Sequence, residues 1–133
     1  MSTMFPWFEP TQQAQLAEYQ RIDPARAELL RRFDAVYLFG TIGAEAIMRS
    51  DGSVLMSVET SPDEPLPPWR PATEQERNAS FVIAKKRIPE LETMLPVRPP
   101  RAESCRYCKG TGYLIQQVVC GNCGGLGWNA PAA

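Results

Sequence analysis

Apolar residues spaced three and four positions apart predict two helices near the start of the chain. After Pro10, Leu16 and Tyr19 fall on one side of an otherwise polar segment. Asp23 is a good N-cap and Pro24 suits the first helical position, so a second helix should begin there. Its apolar positions predict one buried face made of Leu29, Leu30, Phe33, Val36 and Tyr37.

A third helix is predicted further along the chain. Thr73 and Glu76 have the spacing of a capping box, in which each side chain satisfies a backbone N–H of the other residue. The helix is expected to run through Phe81 and Val82 towards Pro89. A final apolar turn follows it and contains Leu91, Met94 and Leu95.

Residues 42–59 alternate between apolar and polar positions, which is typical of a half-buried β-hairpin. Asp51-Gly52 lies at the centre of this stretch and favours a turn between the two strands. Because an isolated two-stranded hairpin is marginally stable in water, we expect the helices to cover it. The alternating apolar residues are Ile42, Ala44, Ala46 and Met48 before the turn, and Val54, Met56 and Val58 after it.

Clusters of proline divide the chain. The prolines of residues 61–71 exclude a helix or a central strand, so we expect an extended, proline-rich connector there. A second cluster at Pro96, Pro99 and Pro100 marks the clearest boundary. The predicted fold is therefore α+β. Helices pack on a small antiparallel sheet over residues 1–100, and a C-terminal zinc knuckle occupies residues 101–133.

Composition narrows the classes of function. The 133 residues carry a net charge of −1, so no overall field attracts the chain to nucleic acid or to a membrane. The sequence contains no histidine, which excludes a Ser-His-Asp or Cys-His catalytic site within it. No apolar run approaches the length of a membrane span, and the N-terminus lacks the pattern of a secretory signal. We therefore expect a cytoplasmic protein whose cysteines are reduced.

All four cysteines lie in one short segment, as two C-x-x-C pairs: Cys105, Cys108, Cys120 and Cys123. Two such pairs supply the four thiolates of a closed tetrahedral zinc site, which leaves no position for a substrate. Each pair continues as C-x-G-x-G, and glycine allows the sharp turns that a backbone needs around a metal. The pattern predicts one structural zinc ion.

Two disulfides are the alternative interpretation of the cysteines, but they would leave the repeated glycines unexplained.

Zinc with four thiolates carries a net negative charge, and nearby basic residues are expected to offset it. Residues 98–128 contain four basic residues against one acidic residue, Glu103. The basic residues are Arg98, Arg101, Arg106 and Lys109.

The repeated motif resembles a known family. The sequences CRYCKGTG and CGNCGGLG are similar to the cysteine-rich repeats of DnaJ-type co-chaperones and to the motif of the bacterial anti-TRAP regulator. The resemblance covers residues 103–128 and implies that the four cysteines are zinc ligands. DnaJ-type proteins have four repeats and two zinc ions, so two repeats imply one zinc here. The J domain requires a histidine that this chain lacks, so only the protein-binding character of the module carries over.

The prediction for function is a non-catalytic protein-interaction module, acting as an adaptor, regulator or inhibitor of another protein. Apolar residues within the knuckle would supply the anchors that interfaces favour. A nucleic-acid-binding zinc knuckle is the alternative, because aromatic and basic side chains together can stack bases and contact phosphates. A thiol-redox enzyme is a further alternative, although glycines follow both pairs where a reactive pair needs a helix. The candidate partner-binding residues are Tyr107, Tyr113, Leu126 and Trp128.

Overall fold

The computed structural model describes residues 4–41, 43–58, 69–114 and 118–129. The chain divides into two compact units, residues 1–72 and 73–133. The first unit contains α1 (Phe8–Ile22), α2 (Pro24–Phe33), β1 (Ala35–Thr41), β2 (Ala44–Arg49), β3 (Val54–Val58) and β4 (Arg70–Pro71). The second contains α3 (Glu74–Ala84), a 3-10 helix (Pro89–Met94), β5 (Glu103–Ser104) and β6 (Trp128–Asn129). Within the described ranges, every helix is too short or too polar to cross a membrane.

The first unit is a four-stranded antiparallel sheet in the order β1-β2-β3-β4, which confirms the α+β prediction. The predicted hairpin corresponds to β2 and β3, with Ile47 opposite Leu55. Asp51 stabilises the turn, because its carboxylate accepts hydrogen bonds from the backbone N–H and the hydroxyl of Ser53 at 2.9 and 2.6 Å. The ends of the predicted hairpin at Ile42 and Glu59 lie outside the described residues, as do residues 61–68 of the predicted connector.

The second predicted helix is shorter than the apolar spacing indicated. Asp23 caps it as predicted, accepting a hydrogen bond from the Arg26 N–H. The helix ends at Phe33, however, because Asp34 adopts the left-handed conformation with φ 52°. Val36 and Tyr37 therefore belong to β1, and their assignment to the buried face of a helix is wrong. Both residues are buried, but as parts of an extended strand.

Helix α1 covers the edge of the sheet that is formed by β1. The Gln15 side chain donates to the Tyr37 carbonyl at 3.0 Å and accepts from the Tyr37 N–H at 2.7 Å, as a neighbouring strand would. Gln12 donates to the Ala35 carbonyl at 3.2 Å. Covering an edge strand in this way blocks its pairing with other chains. The core between helices and sheet contains Tyr19, Ala27, Leu30, Ala35, Tyr37, Ile47 and Leu55.

The second unit opens with the predicted capping box. Thr73 accepts from the Glu76 N–H at 3.1 Å, and the Glu76 carboxylate accepts from the Thr73 N–H at 2.9 Å. The predicted apolar turn forms the 3-10 helix, in which Leu91 is fully buried. The predicted domain boundary followed residue 100, whereas the compact units divide after Ala72. Helix α3 therefore belongs with the cysteine segment, because Gln75 and Val82 of α3 contact Gly121 and Gly125 of that segment.

Candidate metal centre

The two cysteine turns repeat one another at an interval of fifteen residues. In the first turn the Gly110 N–H donates to the Cys105 carbonyl at 3.1 Å, and in the second the Gly125 N–H donates to Cys120 at 3.0 Å. The turns are also joined to each other. The Cys105 N–H donates to the carbonyl of Gly127, and the Cys120 N–H to that of Gly112, both at 2.9 Å. Each turn thus fixes the first cysteine of the other.

Short antiparallel pairings complete the frame around the turns. Tyr113 pairs with Val119, and the Leu114 N–H donates to the Val118 carbonyl at 2.6 Å. At the opposite end, β5 pairs with β6. The sequence runs Tyr113-Leu114-Ile115 and Val118-Val119 favour short strands between the cysteine pairs, and the described part of that segment forms this bridge.

The four predicted ligands come together. The sulfur atoms of Cys105, Cys108, Cys120 and Cys123 all lie within 4.8 Å of one another, and all four residues are buried. The Cys105 and Cys120 Sγ atoms are 3.8 Å apart, and those of Cys108 and Cys123 are 3.7 Å apart. All four cysteines are free thiols rather than disulfides.

These separations fit a tetrahedral metal ion. Sulfur atoms held about 2.3 Å from a central zinc ion define a tetrahedron with edges of about 3.8 Å. The two measured pairs, at 3.8 and 3.7 Å, match such an edge. A disulfide would require the sulfur atoms to approach to about 2.05 Å. The four cysteines therefore form a cluster that can hold a metal ion.

Hydrogen bonds to sulfur come from neutral groups. The Gly112 N–H donates to Cys108 Sγ at 3.2 Å, and the Gly127 N–H donates to Cys123 Sγ at 3.3 Å. The Asn122 side-chain amide reaches the sulfur of Cys105 at 3.4 Å. Such donors stabilise the negative charge of a thiolate, which is the form that binds metals.

The basic residues of the segment take no part in these contacts. Arg101, Arg106 and Lys109 are exposed. Within the described residues, none of the three forms a hydrogen bond or an ion pair with a cysteine sulfur. The backbone and Asn122, rather than basic side chains, therefore supply the contacts to the cysteine sulfur atoms.

The thiols differ in acidity. Burial raises the pKa of Cys105, but hydrogen bonds from Asn122 and from the backbone N–H groups of Cys108 and Tyr107 outweigh it and lower the pKa to about 6. Burial raises the pKa of Cys123 to about 12, although the Gly127 N–H acts in the opposite direction. Four adjacent thiols cannot all ionise unless a cation compensates their charge. Metal binding at this cluster is therefore expected to release protons.

Helix α3 supports the second cysteine turn directly. The Gln75 side chain donates to the Gly121 carbonyl. Gly124 packs against Gln75 so closely that a Cβ on it would lie 3.1 Å from the Gln75 side chain. A Cβ on Gly125 would lie 3.1 Å from the Val82 side chain. No pattern in the sequence indicates this contact, because Gln75 and Gly121 are 46 positions apart in the chain.

The four predicted partner-binding residues separate into two grooves of about 720 Å³ each. Tyr107, which is 67% exposed, and the half-buried Tyr113 lie in the first. Leu126 and Trp128 are half-buried and lie in the second. The first groove, called the Tyr107 groove below, is lined by Tyr107, Cys108, Lys109, Thr111, Tyr113, Leu114 and Val118.

Two apolar residues of the Tyr107 groove were not singled out from the sequence. Leu114 is 44% exposed and Val118 is 56% exposed. In the sequence both belong to the short strands expected between the cysteine pairs. The signal that could have identified them is an apolar side chain next to the cysteine motifs and outside the predicted core.

Comparison with protein-family models, with curated proteins and with solved structures finds no match to this chain. The candidate centre therefore rests on its own geometry.

Proposed function

We propose that this protein is a non-catalytic zinc-binding module that recognises another protein, as an adaptor, a regulator or an inhibitor. The observation that carries the proposal is the cluster of four buried sulfur atoms with the edge lengths of a zinc tetrahedron. Four soft thiolates in this arrangement favour zinc or an iron–sulfur centre. The two are distinguished by colour, because zinc has no visible absorption.

The donor set favours a structural role for the ion. Four cysteine ligands complete the coordination of zinc and leave no open position for water or a substrate. The backbone N–H groups that reach Cys108 and Cys123 hold the ligands in place. We therefore assign the zinc to maintaining the shape of the surrounding surface.

Recognition of a protein is supported by the apolar side chains around the centre. Tyr107, Leu114 and Val118 expose aromatic and aliphatic surface beside the cysteines. Tyrosine is among the residues that dominate binding energy at interfaces. A rigid frame lowers the entropy that such anchors lose on binding.

The test is affinity capture from nuclease-treated extract of the source cell, with full-length protein as bait. Wild type is compared with Cys105→Ser and with Tyr107→Ala. A protein that binds wild type and is lost with Cys105→Ser supports the proposal, and its loss with Tyr107→Ala assigns the Tyr107 groove. A bound protein that is insensitive to Cys105→Ser would contradict a role for the zinc centre in recognition. Metal content by native mass spectrometry, with a chelated control, establishes the ion itself.

Binding of RNA is the second candidate, and one observation favours it. The Lys86 ammonium lies 5.8 Å from the centre of the Tyr113 ring, and Lys109 lines the same groove as Tyr107. Residues 104–129 contain two basic residues and no acidic residue. Stacking on tyrosine together with contacts to phosphate is the usual mode of single-strand binding. Fluorescence anisotropy with single-stranded RNA tests it, because such binding should weaken steeply as salt rises.

A further inference from the structure

Asn78 is a buried polar residue without a partner. It lies on α3 and is 6% exposed. Within the described residues, its carboxamide makes no hydrogen bond. An amide on a residue this little exposed usually has a hydrogen-bond partner, in the protein or in bound water. A ligand bound in the groove that Asn78 lines would supply the missing hydrogen-bond partner.

Asn78 lines the second groove, which also contains Leu126 and Trp128. This Asn78 groove has a volume of about 720 Å³, within the range of ligand sites. Asn122 lies in it as well. Because its side-chain nitrogen donates to the sulfur of Cys105, its oxygen remains to accept a hydrogen bond. The groove thus combines carboxamides with an apolar wall, to which Val97 contributes an 89% exposed side chain.

The charges around the groove select against an anion. Glu74 is the charged residue that lines it, and Glu76 adds a second carboxylate in the first turn of α3. The N–H groups of Glu74 and Gln75, at the first two helical positions, have no acceptor within the helix. They suit a neutral carbonyl oxygen, while the two carboxylates would repel a phosphate. A basic side chain near Glu74 would complement the groove.

We infer that the Asn78 groove binds an extended peptide segment of a partner protein. The Asn78 carboxamide pairs with the N–H and C=O of the peptide main chain, because an amide offers both a donor and an acceptor. An apolar side chain of the peptide packs against Trp128 and Leu126, and a lysine or arginine lies towards Glu74. This inference rests on the proposed function and names the surface and the partner chemistry through which it acts.

A substitution at Asn78 distinguishes a ligand contact from a structural one. Asn78→Leu replaces the amide by an apolar group of similar size, so it should leave the thermal stability of the second unit unchanged or raise it. The same change should abolish the pairing with a peptide main chain. Loss of binding without loss of stability is the result expected of a ligand contact.

The experiment uses the full-length, zinc-loaded protein to select from a phage-displayed library of random peptides. One enriched peptide is labelled with fluorescein, and its affinity is measured by anisotropy. We expect Asn78→Leu to weaken binding at least about tenfold, the effect of losing hydrogen bonds to a buried amide. Trp128→Ala should weaken it by a similar factor. Arg106→Ala changes an exposed residue of the first cysteine turn that lines neither groove, so it is the matched control and should change affinity less than about twofold. Tyr107→Ala is measured beside it to tell which of the two grooves holds the peptide.

A second measurement does not depend on how the variants fold. The side-chain amide resonances of Asn78 in the wild-type protein should shift when the unlabelled peptide is added, and their exchange with solvent should slow.

The charge of the groove is tested by a further variant. Glu74→Gln should reduce the preference of the library for basic peptides.

The outcomes separate this inference from the proposed function. Peptides whose binding is lost with Tyr107→Ala and kept with Asn78→Leu would overturn the inference and leave protein recognition standing. No enrichment would overturn the inference. No enrichment together with tight, salt-sensitive RNA binding would overturn both. Self-association that Trp128→Ala abolishes would identify the occupant as a second copy of this chain and would also overturn the inference.

Discussion

The α-carbon of Gly112 faces the carbonyl oxygen of Gly125 so closely that a side chain on Gly112 would collide with it. The relation is reciprocal between the repeats, since a Cβ on Gly127 would lie 2.5 Å from the Gly110 carbonyl oxygen. The last glycine of each motif is therefore required by the backbone of the other motif. The same two glycines donate their N–H groups to the sulfur atoms of Cys108 and Cys123.

Gly112→Ala should disrupt the metal centre. Gly112 has φ +84°, a conformation that alanine adopts only with strain, and the added methyl would push the two turns apart. We expect the affinity for zinc to fall at least about tenfold, measured by competition with a chromophoric chelator. The matched control is Gly121→Ala. Gly121 lies in the second cysteine turn, but among the described residues beyond its two chain neighbours no atom lies within 4 Å of its added Cβ. Equal affinities for the two variants would contradict the proposed packing of the repeats.

Chelation of the metal should affect α3 as well as the cysteine segment. Structural zinc contributes about 10–16 kcal/mol of apparent binding free energy in small zinc modules, so its removal should unfold the turns. Gln75 and Val82 would then lose their contacts with Gly121 and Gly125. Hydrogen exchange followed by mass spectrometry should show faster exchange in α3 after chelation, and unchanged protection in α2 and β1–β3.

Cys120→Ser should reproduce this pattern without a chelator, because it removes one ligand. Gln75→Ala tests the link itself. It should raise exchange in α3 while the protein still binds one zinc. Protection of α3 that survives both chelation and Cys120→Ser would place the domain boundary nearer residue 100, as the prolines suggested.

The cysteine cluster was predictable because its information is local. Cys105 and Cys123 are separated by few residues, and the repeated motif specifies both the ligands and the turns that place them. The capping box at Thr73 and the turn at Asp51 were predictable for the same reason. Each depends on side chains that act on backbone atoms two or three residues away.

Local patterns do not predict where β1 starts, nor the contact between α3 and the second cysteine turn. Val36 and Tyr37 fit helical spacing equally well, and a single left-handed residue, Asp34, decides that the helix ends. The contact of Gln75 with Gly121 joins residues 46 positions apart and leaves no periodic trace. Contacts between distant segments depend on the packed core, which local patterns do not encode.

Lys109→Gly should stabilise the first cysteine turn. Lys109 has φ 56°, and the equivalent position of the second repeat is Gly124, with φ 63°. A lysine in the left-handed region costs about 1–2 kcal/mol, which glycine avoids, although glycine also loses more entropy on folding. We expect a net gain of about 0.5–1 kcal/mol in the stability of the zinc-bound second unit. Chemical denaturation measures it. The exposed Lys86→Gly, in the turn after α3, is a control with ordinary φ and should give no gain.

Tyr37 should make the first unit lose stability at high pH. Burial, followed by the nearby Glu45 carboxylate, raises the pKa of Tyr37 from 10.0 to about 12. Since the raised value belongs to the folded state, the unfolded chain ionises first as the pH rises. Stability is then present below pH 10 and falls between pH 10 and 12, by about 2–3 kcal/mol in total.

Tyr37→Phe should remove this fall. Within the described residues the buried Tyr37 hydroxyl has no well-formed hydrogen bond, and Glu45 is the carboxylate that acts on it, so its loss should change stability at pH 7 by less than about 1 kcal/mol. Urea denaturation monitored by circular dichroism at pH 7, 10 and 11.5 measures both effects. The control Tyr107→Phe removes an exposed hydroxyl from the second unit and should keep the wild-type dependence on pH. If Tyr37→Phe and wild type lose the same free energy between pH 10 and 11.5, the buried phenol does not limit the stability of the first unit at alkaline pH.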